Sequence, residues 1–233
     1  MTNLSTQLAG VAHHHKHFPI SGKNEQRLVL IFPTWAGITA FEHDMAARLN
    51  AAGYSALVID FFGEGTDLST LDSRRKAMAP FTDDLAVLQS HVSALIGSIR
   101  KALPESTQTI SALGFCLGGL CALHAGLQEQ EVDTAISFHG LLKLPTITGH
   151  AAPHTRFLIL NGSQDPMVSE DEVVSAIRFF DKRSLDLTFV SFSGTYHSFM
   201  IPEANNPDAG VLFNPQNASM AWNIAEQFLQ QTA

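Results

Sequence analysis

Gly114-Phe115-Cys116-Leu117-Gly118-Gly119 lies between an apolar run that reads as a strand, QTISALG over 108–114, and a helix pattern over 118–128. A cysteine with glycine two residues away on each side at such a junction fits a nucleophile elbow, a turn so tight that only small residues fit beside it. The turn needs a strand feeding directly into a helix. It lifts the sulfur above the carboxyl end of a sheet and leaves it at a helix N-terminus, where the dipole favours a thiolate.

The rest of the chain supplies that sheet. Continuous apolar runs at 27–32 (RLVLIF), 55–60 (SALVID), 133–138 (DTAISF) and 156–161 (RFLILN) read as buried strands, and the alternating run 186–192 (DLTFVSF) as a last one. Helical spacing predicts helices over 41–52, ending at Gly53, over 80–103, between Pro80 and Pro104, from the N-cap Ser169 to about Asp181, and over 217–231. Strands alternating with helices predict a mostly parallel sheet covered on both faces, with ligands bound beyond the carboxyl ends of its strands. The 233 residues are expected to form one domain, with 1–26 as an irregular N-terminal segment or an edge hairpin. The 198–216 stretch is too long for a plain connection and is expected to overhang the site.

Charge and cysteine content narrow the function. A net charge of −8 argues against a nucleic-acid surface, and no basic cluster followed by an apolar core marks a signal peptide or a membrane span. The two cysteines, Cys116 and Cys121, would lie about 140° apart around a helix, which argues against a disulfide or a redox pair. A free thiol fits a reducing cytoplasm. Cys121 reads as packing material.

A thiol needs a base to take its proton and a third group to orient that base. Asp165 follows the strand 156–161, and His197 follows the strand 186–192. The order Cys116, Asp165, His197 is nucleophile, acid, histidine, as an α/β-hydrolase fold requires. The competing reading of Asp165 is a turn cap beside Pro166. An oxyanion would be met by the Leu117 N–H and by a second N–H from the loop after the first core strand, where Trp35 stands.

GFCLGG, then GSQDPMV, then YHSF, together with Gly37 and the pair Gly53-Tyr54, resemble the dienelactone hydrolase family in order and spacing from about Arg27 to the last helix. The resemblance implies Cys116 as nucleophile, His197 as general base and Asp165 as the orienting carboxylate. It also marks departures. Thr34 stands where that family carries a glutamate near the resting thiol, and Glu64 and Ile201 stand where it carries two carboxylate-binding arginines. Losing two charged hydrogen bonds, at roughly 1.5–3 kcal/mol each, points to a neutral or weakly polar ester, thioester or lactone.

Thr34, Phe61, Phe62, Glu64, His139, Phe199 and Ile201 are the expected pocket residues, although Phe61, Phe62 and Trp35 read equally as core, and His139 equally as structural. Arg74 and Arg75 read as solvated charges, yet they are the only basic residues near enough in sequence to attract an anion. His13, His14, His15 and His17 read as adventitious metal affinity in a region without regular pattern, and His43 as an exposed helix residue. No metal or cofactor is expected. The chain is read as a monomer or small homo-oligomer acting on a small ester or lactone, the alternative being a non-catalytic or redox-sensing protein with a reactive Cys116.

Overall fold

The computed structural model describes residues 1–20, 26–104, 107, 109–128, 132–145 and 154–231. Eight strands form one sheet. In chain order they are β1 (Thr2–Leu8), β2 (Val11–Phe18), β3 (Arg27–Phe32), β4 (Ser55–Val58), β5 (Thr109–Phe115), β6 (Val132–Phe138), β7 (Arg156–Gly162) and β8 (Asp186–Phe192), and the spatial order is β1-β2-β4-β3-β5-β6-β7-β8. All pairs from β4 to β8 are parallel, while β1 and β2 form an antiparallel hairpin at the edge, with Leu8 opposite Val11. The fold is therefore an α/β-hydrolase sheet. Its strand order reverses between β3 and β5, the place where such sheets open a crevice.

Alternation along the buried strands sends successive side chains to opposite faces. Val29 and Ile31 join a cluster with Met45 and Leu49 of α1 (Ala40–Ala51) and Trp222 and Phe228 of α6 (Pro215–Gln230). Leu28, Leu30 and Phe32 join the opposite face, under Leu88, Val92 and Leu95 of α3 (Leu85–Ala102) and Leu120 of α4 (Leu117–Gln128). Phe157 and Ile159 pack beneath α4 and Phe180 of α5 (Glu170–Asp181), whose Ser169–Glu172 capping box forms as the sequence predicts.

Two expectations change. The helix expected over 80–103 is two helices, α2 (Leu71–Asp83), with Pro80 inside it, and α3. Asp84 separates them with an extended backbone and caps α3 by accepting from the Ala86 N–H, a stronger start signal than Pro80. The histidines assigned to a patternless segment lie on β2, where His13 and His15 are buried. Asp60 fixes both, its carbonyl accepting from His13 Nδ1 at 2.8 Å and its N–H donating to His15 Nδ1 at 3.0 Å. His15 Nε2 then donates to Thr6 Oγ1 at 3.0 Å, so these rings pin the hairpin to the sheet. Among the described residues no group of histidines, cysteines or carboxylates is arranged to hold a metal. No described helix is long and apolar enough to cross a membrane.

Candidate active site

The elbow forms where β5 meets α4. Cys116 has φ +55°, its N–H donates to the Phe138 carbonyl at 3.1 Å, and its own carbonyl accepts from the Gly119 and Leu120 N–H groups. The glycine bracket is a steric requirement: a Cβ on Gly114 would stand 2.0 Å from the Gly118 carbonyl oxygen, and one on Gly118 2.1 Å from that of Phe32. Cys116, His139 and Ser198 are three of five described non-glycine residues with positive φ, and they follow β5, β6 and β8 at the same end of the sheet. Backbone strain of about 1–3 kcal/mol per residue thus gathers around one crevice.

Asp165 and His197 meet there. Asp165 lies in the turn after β7, its Oδ1 accepting from the Met167 N–H at 2.8 Å, while Oδ2 accepts from His197 Nδ1 at 2.7 Å. One carboxyl oxygen thus caps the turn and the other holds the imidazole. The His197 backbone is clamped by hydrogen bonds to Gly210 and Leu212, and its side chain is 2% exposed. With Nδ1 on the carboxylate, Nε2 has no conventional partner among the described residues, and it faces the sulfur of Cys116 in the cavity both residues line. Burial disfavours the imidazolium, but the negative charge of Cys116, the Asp165 hydrogen bond, the contact with the sulfur and the Asp165 charge outweigh it and raise His197 to about 10. The opposite happens at His139. Burial first and the charge of His197 second push it well below the ordinary range, so it packs as a neutral ring 5.2 Å from that of His197.

The N–H groups of Leu117 and Trp35 make no hydrogen bond among the described residues. Leu117 opens α4 directly after the cysteine, and Trp35 lies on the loop after β3, across the switch point. A fully buried Glu42 holds that loop: one carboxyl oxygen accepts from the Thr34 N–H at 3.4 Å, the other from the Thr39 N–H at 2.8 Å and the Thr39 hydroxyl at 2.6 Å. Thr34 turns its hydroxyl to the Ala36 N–H at 3.1 Å.

The cavity around Cys116 has a volume of about 160 Å³, with Thr34, Trp35 and Ile201 of the expected residues in its wall. The others stand elsewhere. Phe61 packs against Phe81 and His91, Phe62 against Phe61 and Phe81, and Phe199 lies in the core beside Phe192. His139 supports His197 from behind, outside the wall. Glu64 is exposed, 3.9 Å from His14 on the hairpin. Met78, Leu141, Met167 and Val211 complete the wall instead, drawn from α2, from two loops and from a short strand at Val211–Leu212, far apart in sequence. The overhang of 198–216 forms, contributing Ser198, Ile201 and Val211. Arg74, read as solvated, is half-buried and lines a wider groove continuous with the cavity through Thr34, Trp35 and Ile201. His43 is half-buried against Phe18 rather than exposed.

The dienelactone hydrolase family model matches residues 18–233. A protein of Aquifex aeolicus named "Putative carboxymethylenebutenolidase" is 25% identical over 207 residues, 87% of each chain. A Bradyrhizobium protein named "Probable 2-oxo-3-(5-oxofuran-2-ylidene)propanoate lactonase" is 25% identical over 206 residues, 84% of this chain and 79% of the relative. Among solved structures, the dienelactone hydrolase-like promiscuous phosphotriesterase P91 from metagenomic libraries superposes with a TM-score of 0.89 at 21% identity, covering 99% of this chain and 97% of its own.

Proposed function

This chain belongs to the dienelactone hydrolase family, and from that premise we propose that it is a cysteine-dependent hydrolase of small esters, thioesters or lactones, with Cys116, His197 and Asp165 as its triad. The observation that carries the reading is the buried 2.7 Å contact between Asp165 and His197, which leaves Nε2 free for the sulfur. The Cys116 thiolate attacks the carbonyl carbon, and the resulting oxyanion is held by the Leu117 and Trp35 N–H groups. Collapse breaks the carbon–oxygen bond, and the alcohol leaves with the proton from His197 Nε2. His197 then takes a proton from water, whose oxygen attacks the thioester. The acid departs and the thiolate–imidazolium pair returns.

Thr34 offers a hydroxyl already engaged with the Ala36 N–H, so activation of the thiol falls to His197 alone. In the groove Arg74 and Glu203 carry opposite charges, a balance that favours neutral substrates over anionic ones. The test is a panel of aryl esters and lactones, with and without a carboxylate. Turnover is expected on the neutral members and lost about 1,000-fold or more in Cys116→Ala and His197→Ala. Iodoacetamide is expected to modify Cys116 far faster than Cys121, whose thiol burial pushes well up. Rapid alkylation without turnover would favour the redox-sensing reading. Preference for the anionic members would overturn the neutral-substrate assignment.

A further inference from the structure

The cavity holding Cys116 and the groove beside it differ in size and chemistry. The inner cavity, about 160 Å³, is walled chiefly by Met78, Leu141, Met167, Ile201 and Val211. The outer groove, about 550 Å³, presents Thr39, Arg74, Glu203, Asn205 and Asn206. Trp35 lines both. Its indole is half-buried, and among the described residues the ring has no aromatic or cationic neighbour and Nε1 donates to no acceptor. Trp222, by contrast, stacks on Phe138, lies under the Arg48 guanidinium and donates to Glu226. Packing explains Trp222 and leaves the indole of Trp35 unexplained.

We propose that the natural substrate is an ester of a short acyl group with a sugar-like, hydroxyl-rich alcohol, the acyl group seated in the inner cavity and the alcohol in the groove against Trp35. This inference rests on the cysteine-hydrolase reading. In a thiol acyl-transfer reaction the alcohol leaves first, so it belongs on the open side, while the acyl group stays on sulfur and belongs in the enclosed one. The inner cavity, about 160 Å³ against about 550 Å³ for the groove, suits the smaller, acyl part of the substrate.

The groove suits a polyol for three reasons. Planar amide, carboxyl and guanidinium groups pair with neighbouring hydroxyls as donors and acceptors at once. The C–H face of a sugar ring packs on an indole face. Arg74 anchors its Nε on the Leu68 carbonyl at 2.7 Å and has no carboxylate partner among the described residues, so its remaining N–H groups are open to a ligand. Glu203 in the same groove offsets its charge, so a substrate carboxylate alone does not match the surface.

The experiment compares acetylated methyl xyloside with ethyl acetate on the full chain, with methyl xyloside titrated onto Cys116→Ala while tryptophan fluorescence is followed. The sugar ester is expected to exceed ethyl acetate in kcat/KM by about 100-fold. That ratio is expected to fall about fivefold in Trp35→Ala, chiefly through KM, as the loss of about 1 kcal/mol of stacking implies. Trp35→Phe, which keeps a ring, restores most of it. The xyloside is expected to perturb fluorescence in Cys116→Ala and not when Trp35→Phe is added. Equal rates on both esters, a ratio insensitive to Trp35→Ala and Asn205→Ala, and no fluorescence response would overturn the substrate assignment while leaving the hydrolase reading intact. Absence of turnover on every ester would instead remove the hydrolase reading, and this substrate with it.

Discussion

At His197 two effects oppose each other and the balance sets the working charge of the site. Burial alone would lower the imidazole, yet the Cys116 charge and the Asp165 contact raise it to about 10, so the imidazolium persists through neutrality and is lost only as pH climbs through that value. Cys116→Ala removes the charge and the contact with the sulfur, and the His197 ring proton resonances followed by NMR are expected to titrate well below the wild-type midpoint. An unchanged midpoint would mean that Asp165 suffices. Cys116, Asp165 and His197 were legible as candidates because each lies within five residues of the end of a strand, inside a short glycine- or proline-marked motif. The wall was not. Phe61, Phe62 and Phe199 stand near strand ends as the triad does, but position along a strand does not say which neighbours cover a side chain. Met78, Leu141, Met167 and Val211 carry no motif at all and meet only in three dimensions.

Among the elements, the β1–β2 hairpin depends on one buried histidine, His15, staying neutral. Burial, aided by the charges of His13 and His14 and opposed by that of Asp60, lowers His15 to about 4 against an ordinary value of 6.5. The unfolded chain therefore binds this proton more readily. The stability contribution is complete above pH 6.5 and declines as pH falls toward 4, by a total of about 3 kcal/mol at 1.36 kcal/mol per unit. Urea unfolding at neutral pH and again near pH 4.5 is expected to show this loss in the wild type and a smaller one in His15→Gln, whose amide cannot be protonated there. An equal loss in both would place the acid sensitivity elsewhere. The sequence offered the hairpin only as one of two readings, because five of the eight residues of β2 are histidine or lysine and it lacks the apolar alternation of a recognisable strand. The break between α2 and α3 was hidden for a different reason. Pro80 sits on an exposed turn of α2 and mimics a helix start four residues before the true cap at Asp84.

For the molecule as a whole, one sheet carries apolar clusters on both faces, so unfolding is expected to be a single transition with matching calorimetric and van't Hoff enthalpies. Trp222→Ala, which empties the cluster beneath α1 and α6, is expected to cost about 3–5 kcal/mol and to move that one transition without splitting it. Two resolved transitions would deny the single-domain reading. The architecture was the most legible level, since continuous apolar strands alternating with helices leave few arrangements other than a two-sided parallel sheet. The buried carboxyl of Glu42 links this scale back to the chemistry. It fastens the Thr34–Thr39 stretch to the first turn of α1, so the amide at position 35 takes its bearing from a helix resting on the Trp222 cluster. Warming that slackens this seam by a fraction of an ångström would blunt the enzyme's pace while its secondary structure still looked intact, and fading activity would serve as the earlier thermometer of the core.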